Sequence, residues 1–296
     1  MQPQELNDRF GIEGAAVFEA GPGDLTQLSI TAAGGSARLI VHGAHVTDFA
    51  PEGGRPVLWI SRRSRFEPGK PIRGGVPICW PWCGGDPHHG FARLREWTVE
   101  AVRRAADGRV TAELSLRDDE ATRALWPHPF ELRYAVTVGP ALEMALTTTN
   151  RGDEAFPLVE ALHPYLAVSD LREVRILGIE GTEYIDIVGE PTRRNQEDEP
   201  IVFVAETDRQ YLNTTAPLTL VDPGAERRIV VTKSGSDSTV IWNPWVDKAV
   251  HMPDYGDGEW PEMVCIEPAN IADNARTVEP GQSHTLAATI AVEAGG

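Results

Sequence analysis

The stretch ELRYAVTVGPALEMALTTT, residues 131–149, decides the fold class. In its first half Leu132, Tyr134, Val136 and Val138 recur at every second residue. In its second half Leu142, Met144 and Leu146 do the same. A period of two places each set on one face of an extended strand. Gly139-Pro140-Ala141 between them reads as a hairpin turn. The same alternation runs through RVTAELSL (109–116) and HTLAATIAV (284–292). Shorter strand candidates are QLSIT (27–31), ARLIV (37–41), VLWI (57–60), RIVVT (228–232) and MVCIE (263–267). The best helix candidate is DDEATRAL (118–125), which opens on acidic residues and stops before Pro127. Many short strands, Gly 28 and Pro 23, and no alternation of strand with helix predict an all-β chain, an antiparallel sandwich or barrel. Loop-rich stretches are expected at 61–96, 178–215 and 243–262. The polar segment GEPTRRNQEDEP (189–200) reads as a loop within a single domain, because strands of one character flank it.

Composition removes several functions. Lys+Arg 27 against Asp+Glu 44 gives a net charge of −17, which opposes nucleic acid and anionic membrane. No apolar run is long enough to span a bilayer, and the N-terminal stretch lacks a signal-peptide pattern. Three cysteines (Cys79, Cys83, Cys265) do not make a disulfide framework, and a reducing cytoplasm is the expected location. An anionic substrate would need a local cationic pocket. With only Lys70, Lys233 and Lys248 as lysines, that pocket would be built mainly of arginine, whose planar fork suits phosphate.

Such a concentration exists. The segment SRRSRFEPGKPIRGGVPICWPWCGGDPHHGFARLRE (61–96) carries Arg62, Arg63, Arg65, Arg73, Arg93, Arg95, Lys70, the pair His88-His89, and Trp80 and Trp82. It reads either as an anion pocket with aromatic walls or as a solvated basic loop. In EALHPYLAVSD (160–170), His163 sits in an apolar run before a proline, as a core histidine or a site group. In MVCIEPANI (263–271), Glu267 ends an apolar strand. A carboxylate buried there needs a partner or a purpose. WNPWVDKAVHMPDYGDGEWPE (242–262), with four aromatics and five carboxylates, is an acidic surface loop or part of a site. Phosphate-binding glycine loops, a GxSxG elbow and HExxH are all absent from the sequence. CxxxC at 79–83 is not a zinc spacing.

Taken together, PIRGGVPICWPWCGG, HGFARLREW, ALHPYLAVSD, ETDRQYL (206–212), VIWNPWVDKA (240–249) and MVCIEPANI resemble the hexose-6-phosphate mutarotases, the glucose-6-phosphate 1-epimerase branch of the aldose 1-epimerase superfamily. The blocks occur in order from about residue 57 to the end. About 1–25 carry little of the resemblance and are expected to be peripheral. The resemblance implies a galactose-mutarotase-like antiparallel β-supersandwich, a monomer, and an isomerase with no metal and no organic cofactor. It implies catalytic roles for His163 and Glu267. It assigns substrate or phosphate contact to Arg73 and Arg93, and sugar contact to His89, Asp208 and Trp242. The pattern departs at Gln210, where an aliphatic residue is expected, and at Cys83, often Phe.

The chemistry suits these groups. Opening a hemiacetal needs one proton taken from the anomeric hydroxyl and one given to the ring oxygen. General acid–base help of this kind is worth about 10²–10⁴-fold per group. The expected arrangement is Glu267 as carboxylate base and His163 as imidazolium acid, with Asp208 or another acid close enough to hold the imidazolium charged. The alternatives are an aldose 1-epimerase for unphosphorylated hexoses, a non-catalytic carbohydrate-binding sandwich, and a glycosidase using carboxylates of 243–262.

Overall fold

In the computed structural model, residues 2–295 are described, and antiparallel sheet dominates them. The 131–149 stretch forms the expected hairpin, Phe130–Val138 with Ala141–Asn150, in which Val136 faces Met144 and Tyr134 faces Leu146. It lies at the centre of an eight-stranded sheet. Val110–Arg117 and Thr98–Arg104 extend that sheet on one side. Ser283–Ala294, Arg227–Ser234, Leu218–Asp222 and Arg175–Leu177 extend it on the other. The alternating set is buried: Val110, Ala112, Leu114, Leu132, Tyr134, Val136, Leu142, Met144, Leu146, Leu286, Ala288 and Ile290 all face the core. The opposite face is polar, and hydroxyls pair across strands, Thr111 with Thr137 and Thr147 with Thr285.

A second eight-stranded sheet is made of shorter pieces. Its path runs Thr192–Asn195, Glu183–Asp186, Thr207–Tyr211, Ser238–Asn243, Met263–Asn270, Glu160–Leu162, Ile78–Cys79, with Tyr165–Ala167 also pairing with Met263–Asn270. A four-stranded meander (Ala16–Ala20, Thr26–Ala32, Gly35–Ile40, His45–Pro51) completes the large sheets. One contiguous apolar cluster joins all three, from Leu28 and Leu39 through Leu146 and Ile290 to Leu162, Ile241 and Ile266. Leu6, on the helix Pro3–Phe10, also packs into it. No described helix is long and apolar enough to cross a membrane.

The helix expected at 118–125 forms at Glu120–Leu125, capped by Asp119, whose carboxylate accepts from the Thr122 N–H. Two expectations change. VLWI is not a strand: Leu58 bridges Leu166 and Ile60 bridges Gly74 singly, because two different segments take its hydrogen bonds in turn. The 189–200 loop contains the strand Thr192–Asn195, fully exposed and paired with Glu183–Asp186. It is an edge strand, and exposed edges carry charge, here Arg193 bonded to Glu183 and Asp273. Its polarity therefore hid it in the sequence.

Candidate active site

The strand Met263–Asn270 is buried along all eight residues, because each face has a cover. Val264 and Ile266 point into the main core, while Cys265 and Glu267 point the other way. Two short strands share its flank. Ala161 pairs with Ala269 and Tyr165 pairs with Cys265, the same register on both sides of a gap. Pro164 lies in that gap and has no N–H to give the ladder. The register carried across it sets His163 opposite Glu267, and the side chains meet, Nε2 to Oε1 at 3.2 Å, both nearly fully buried. On the far side of Met263–Asn270, Val240 faces Glu267 and Trp242 faces Cys265. One strand further, Asp208 faces Trp242 and Gln210 faces Val240. Alternation thus delivers Asp208, Gln210, Trp242, Glu267, His163 and Tyr165 to one concave face. They line a cavity of 460 Å³, together with Arg73, His89 and Lys248. That volume is in the range of small-molecule sites.

The IRGG segment approaches this face closely. A Cβ on Gly75 would stand 2.3 Å from the Val46 carbonyl oxygen, and one on Gly74 would stand 2.3 Å from that of Trp59. Only glycine permits both contacts, which fix Arg73 beside the cavity. Its guanidinium donates to Asp254 through Nε and Nη2 and to the Tyr165 hydroxyl through Nη1 at 2.9 Å. Burial opposes this charge, but Tyr165 and Asp254 outweigh it and hold Arg73 firmly protonated. The Tyr165 ring in turn stacks on His163, centroids 4.8 Å apart and planes 10° apart.

The electrostatics revise the expected protonation. Burial pushes the His163 pKa down to about 3, and burial with the nearby Asp208 and Cys79 pushes Glu267 well above the ordinary carboxyl value. The neutral pair is favoured, with the shared proton on Glu267. The group that approaches His163 is Glu267 itself, and no imidazolium is maintained by Asp208. Asp208 is raised to about 6, by burial first, with Glu206 adding to it and Lys248 opposing.

Charge around the cavity also differs from expectation. The basic segment 61–96 and the acidic stretch 243–262 neutralise one another. Arg62 bonds Glu259 and Glu262, Arg63 bonds Asp257, and Arg73 bonds Asp254. Four of the five carboxylates invoked for a glycosidase, Asp254, Asp257, Glu259 and Glu262, are therefore held by arginines. Arg93 does not line the cavity. It is buried behind it, donating to the His88 carbonyl at 2.6 Å, and burial lowers its pKa. Trp80 is a core residue whose indole N–H donates to Thr148, and Trp82 donates to the Pro87 carbonyl. The aromatic surface of the cavity is instead Trp242 and Tyr165. Sequence reasoning missed Lys248 as the second cation of the lining; its ammonium reaches Glu206 at 2.8 Å and Asp208 at 4.0 Å. It also missed Tyr165. Both stand inside quoted blocks, HPY and WNPWVDK, which was the available signal. The two departures, Gln210 and Cys83, both line the cavity.

Two clusters bring three ligand-type atoms within 4.8 Å: Cys79, Cys83 and His89, and His163, Cys265 and Glu267. In the first, the Gly84 N–H donates to His89 Nδ1 at 3.1 Å, so the ring proton sits on the other nitrogen. A metal-binding histidine has the reverse arrangement, with its second nitrogen donating. In the second, His163 and Glu267 already lie against each other, Nε2 to Oε1 at 3.2 Å.

Residues 26–291 of this antiparallel sandwich match the aldose 1-epimerase family; the chain belongs to it. A Cenchrus ciliaris protein named "Putative glucose-6-phosphate 1-epimerase" is 36% identical over 259 residues, 83% of this chain and 78% of that one. An Escherichia coli K12 protein of the same name is 34% identical over 261 residues, 86% of each. A crystal structure described as a "putative mutarotase" from Salmonella typhimurium superposes with a TM-score of 0.89 at 32% identity, covering 96% of both chains. The fold is the mutarotase β-supersandwich.

Proposed function

We propose that the chain interconverts the α and β anomers of a hexose 6-phosphate, with D-glucose 6-phosphate as the leading substrate. The observation that carries this reading is the His163–Glu267 contact at 3.2 Å within a cavity that also presents Arg73 and Lys248. The names of the relatives support the phosphorylated substrate.

Ring opening and closure each move one proton off one oxygen of the sugar and one onto another. An acid and a base in contact, holding a single transferable proton, can serve both directions. With the proton on Glu267, the carboxylic acid protonates the ring oxygen while the His163 imidazole takes the anomeric proton. Closure on the other aldehyde face returns both. The same number of protons describes carboxylate with imidazolium, so the pair works as one unit. Burial that disfavours the ionised form makes the unit neutral between turnovers. The reaction is redox-neutral and needs no external nucleophile.

In this proposal Asp208, Gln210 and His89 hold sugar hydroxyls, Trp242 and Tyr165 pack on the ring, and Arg73 with Lys248 binds phosphate. A charged phosphate contact is worth roughly 1.5–3 kcal/mol, about 10- to 100-fold. Arg93 acts behind the cavity by fixing the His88–His89 backbone. The proposal extends to a monomer in the cytoplasm, supported by three unpaired thiols. The test is a side-by-side measurement of anomer exchange on glucose 6-phosphate and glucose. A higher kcat/KM for the phosphorylated sugar is expected; equal values would overturn the phosphate assignment.

A further inference from the structure

Cys79 and Cys83 have no part in the acid–base chemistry, yet they are built into the wall of the cavity. Cys83 lines it, and Cys79 lies directly behind, 1% exposed. Their sulfurs and a ring nitrogen of His89 are mutually within 4.8 Å. The two sulfurs and the imidazole therefore form one close cluster in the cavity wall. The next residue, Gly84, clamps His89 from both sides. Its N–H donates to His89 Nδ1 at 3.1 Å, and its carbonyl accepts the His89 backbone N–H at 2.7 Å. His89 has φ 59°, a left-handed conformation that a non-glycine residue keeps while contacts hold it there. Anything that moves Cys83 therefore moves Gly84, and with it the clamp on His89.

We propose that Cys79 and Cys83 form a peroxide-sensitive modification site, and that their reversible disulfide releases the Gly84 clamp and displaces His89 from the cavity. Cys79 holds the Cys83 thiol pKa up and is itself lowered by Cys83, so Cys79 is the favoured thiolate and can serve as the base for Cys83. The Cys79 thiolate takes the proton of Cys83 as Cys83, facing the cavity, attacks one oxygen of hydrogen peroxide. The O–O bond breaks, leaving a sulfenic acid on Cys83 and a hydroxide that takes the Cys79 proton to become water. The Cys79 thiolate then attacks the Cys83 sulfur; the S–S bond forms, the S–O bond breaks, and hydroxide leaves. Two sulfurs have together lost two electrons and the peroxide has gained them. A transient disulfide of this kind is compatible with a reducing compartment, where thiols restore the dithiol. Its effect on turnover rests on the anomerase reading; its formation does not.

The experiment treats the full-length protein with hydrogen peroxide, unfolds and alkylates it, and maps the cysteines by mass spectrometry. The expected result is a Cys79–Cys83 linked peptide two hydrogens lighter, with Cys265 still alkylated. Anomer exchange should fall about 10- to 100-fold and return with dithiothreitol, because a displacement of ångström size costs about that much. Imidazole NMR signals of His89 should shift with the same reversibility. Cys83→Ser should give no linked peptide and no dithiothreitol-recoverable loss; if that variant does not fold, the wild-type map still decides. Peroxide that yields only singly oxidised thiols, a link through Cys265, or a 79–83 link with the His89 signals unmoved would overturn the proposal. A protein with no anomer exchange before peroxide would instead overturn the anomerase reading, leaving the linked peptide and the His89 signals to test the site.

Discussion

The two eight-stranded sheets obey opposite rules. In the long-stranded sheet, buried and more exposed residues alternate through most of the central strands. Ala141–Asn150 keeps register with Phe130–Val138 on one side and with Ser283–Ala294 on the other, and its outer face pairs threonines. In the short-stranded sheet, the face away from the main core carries His163, Glu267, Asp208 and Gln210, and prolines interrupt the ladder beside the first two. The first pattern maximises burial with few polar atoms to satisfy. The second leaves ionisable groups in low dielectric, where their pKa values move by units. A chain keeps such violations where chemistry needs them and is regular elsewhere.

Substitutions should separate the sheets cleanly. The largest effect is expected from Glu267→Gln or His163→Ala: kcat lower by about 10²–10⁴-fold, with the double variant little worse than either single one, since the groups act as a unit. Stopped polarimetric or NMR rates check this. The Gln variant should also be no less stable than wild type. The folded pKa of Glu267 lies above its unfolded value of 4.5, so its contribution to stability is complete below that pH and is lost as pH rises through the folded value. Thermal unfolding across pH should show the Gln variant gaining on wild type toward alkaline pH.

Leu146→Ala in the regular sheet should do the reverse. It should cost about 2–5 kcal/mol in denaturant unfolding and leave kcat per folded molecule unchanged. A large kcat loss there would erase the distinction between the sheets. Next in size, Lys248→Ala should raise KM for glucose 6-phosphate about 10- to 100-fold and leave glucose nearly unaffected. Lys248 is exposed, so the effect is not confounded by unfolding. Arg73→Ala would also leave buried Asp254 unpaired, and its melting temperature must be read alongside.

The smallest effect concerns pH. Asp208 is raised to about 6, so it loses its charge, and its capacity to accept two sugar hydroxyls, as pH falls through that value. KM should rise a few-fold on the acid side. The phosphate titrates near pH 6 as well, so the test compares wild type with Asp208→Asn, in which part of the limb should vanish. The kcat profile should lack a limb at the ordinary histidine value, because burial has moved His163 to about 3.

Five of the eight strands of the regular sheet were legible in the sequence, since a period of two is a local signal and Val110, Leu132, Leu146 and Ile290 each point where it says; Thr98–Arg104, Leu218–Asp222 and Arg175–Leu177 were not read. The four-residue edge Thr192–Asn195 was not legible, because exposure removes the apolar half of the pattern. His163 and Glu267 were legible only through the resemblance. Each alone is one polar residue in an apolar run, and what joins them is the register of 160–167 against the strand Met263–Asn270. The mutual neutralisation of 61–96 and 243–262 is long-range pairing of loops, which charge counts along the chain do not reveal. Arg93 illustrates the limit of carrying a role across by position: it arrives beside the cavity and faces its backbone instead.

The central claim is best tested by two-dimensional exchange NMR on the anomers of glucose 6-phosphate, comparing wild type with Glu267→Gln at equal folded concentration. Exchange cross-peaks that build up far faster than in buffer with wild type, and fall back to the buffer rate with the variant, are expected. A variant as fast as wild type, or a wild type no faster than buffer, would contradict the assignment of the buried pair across the interrupted ladder.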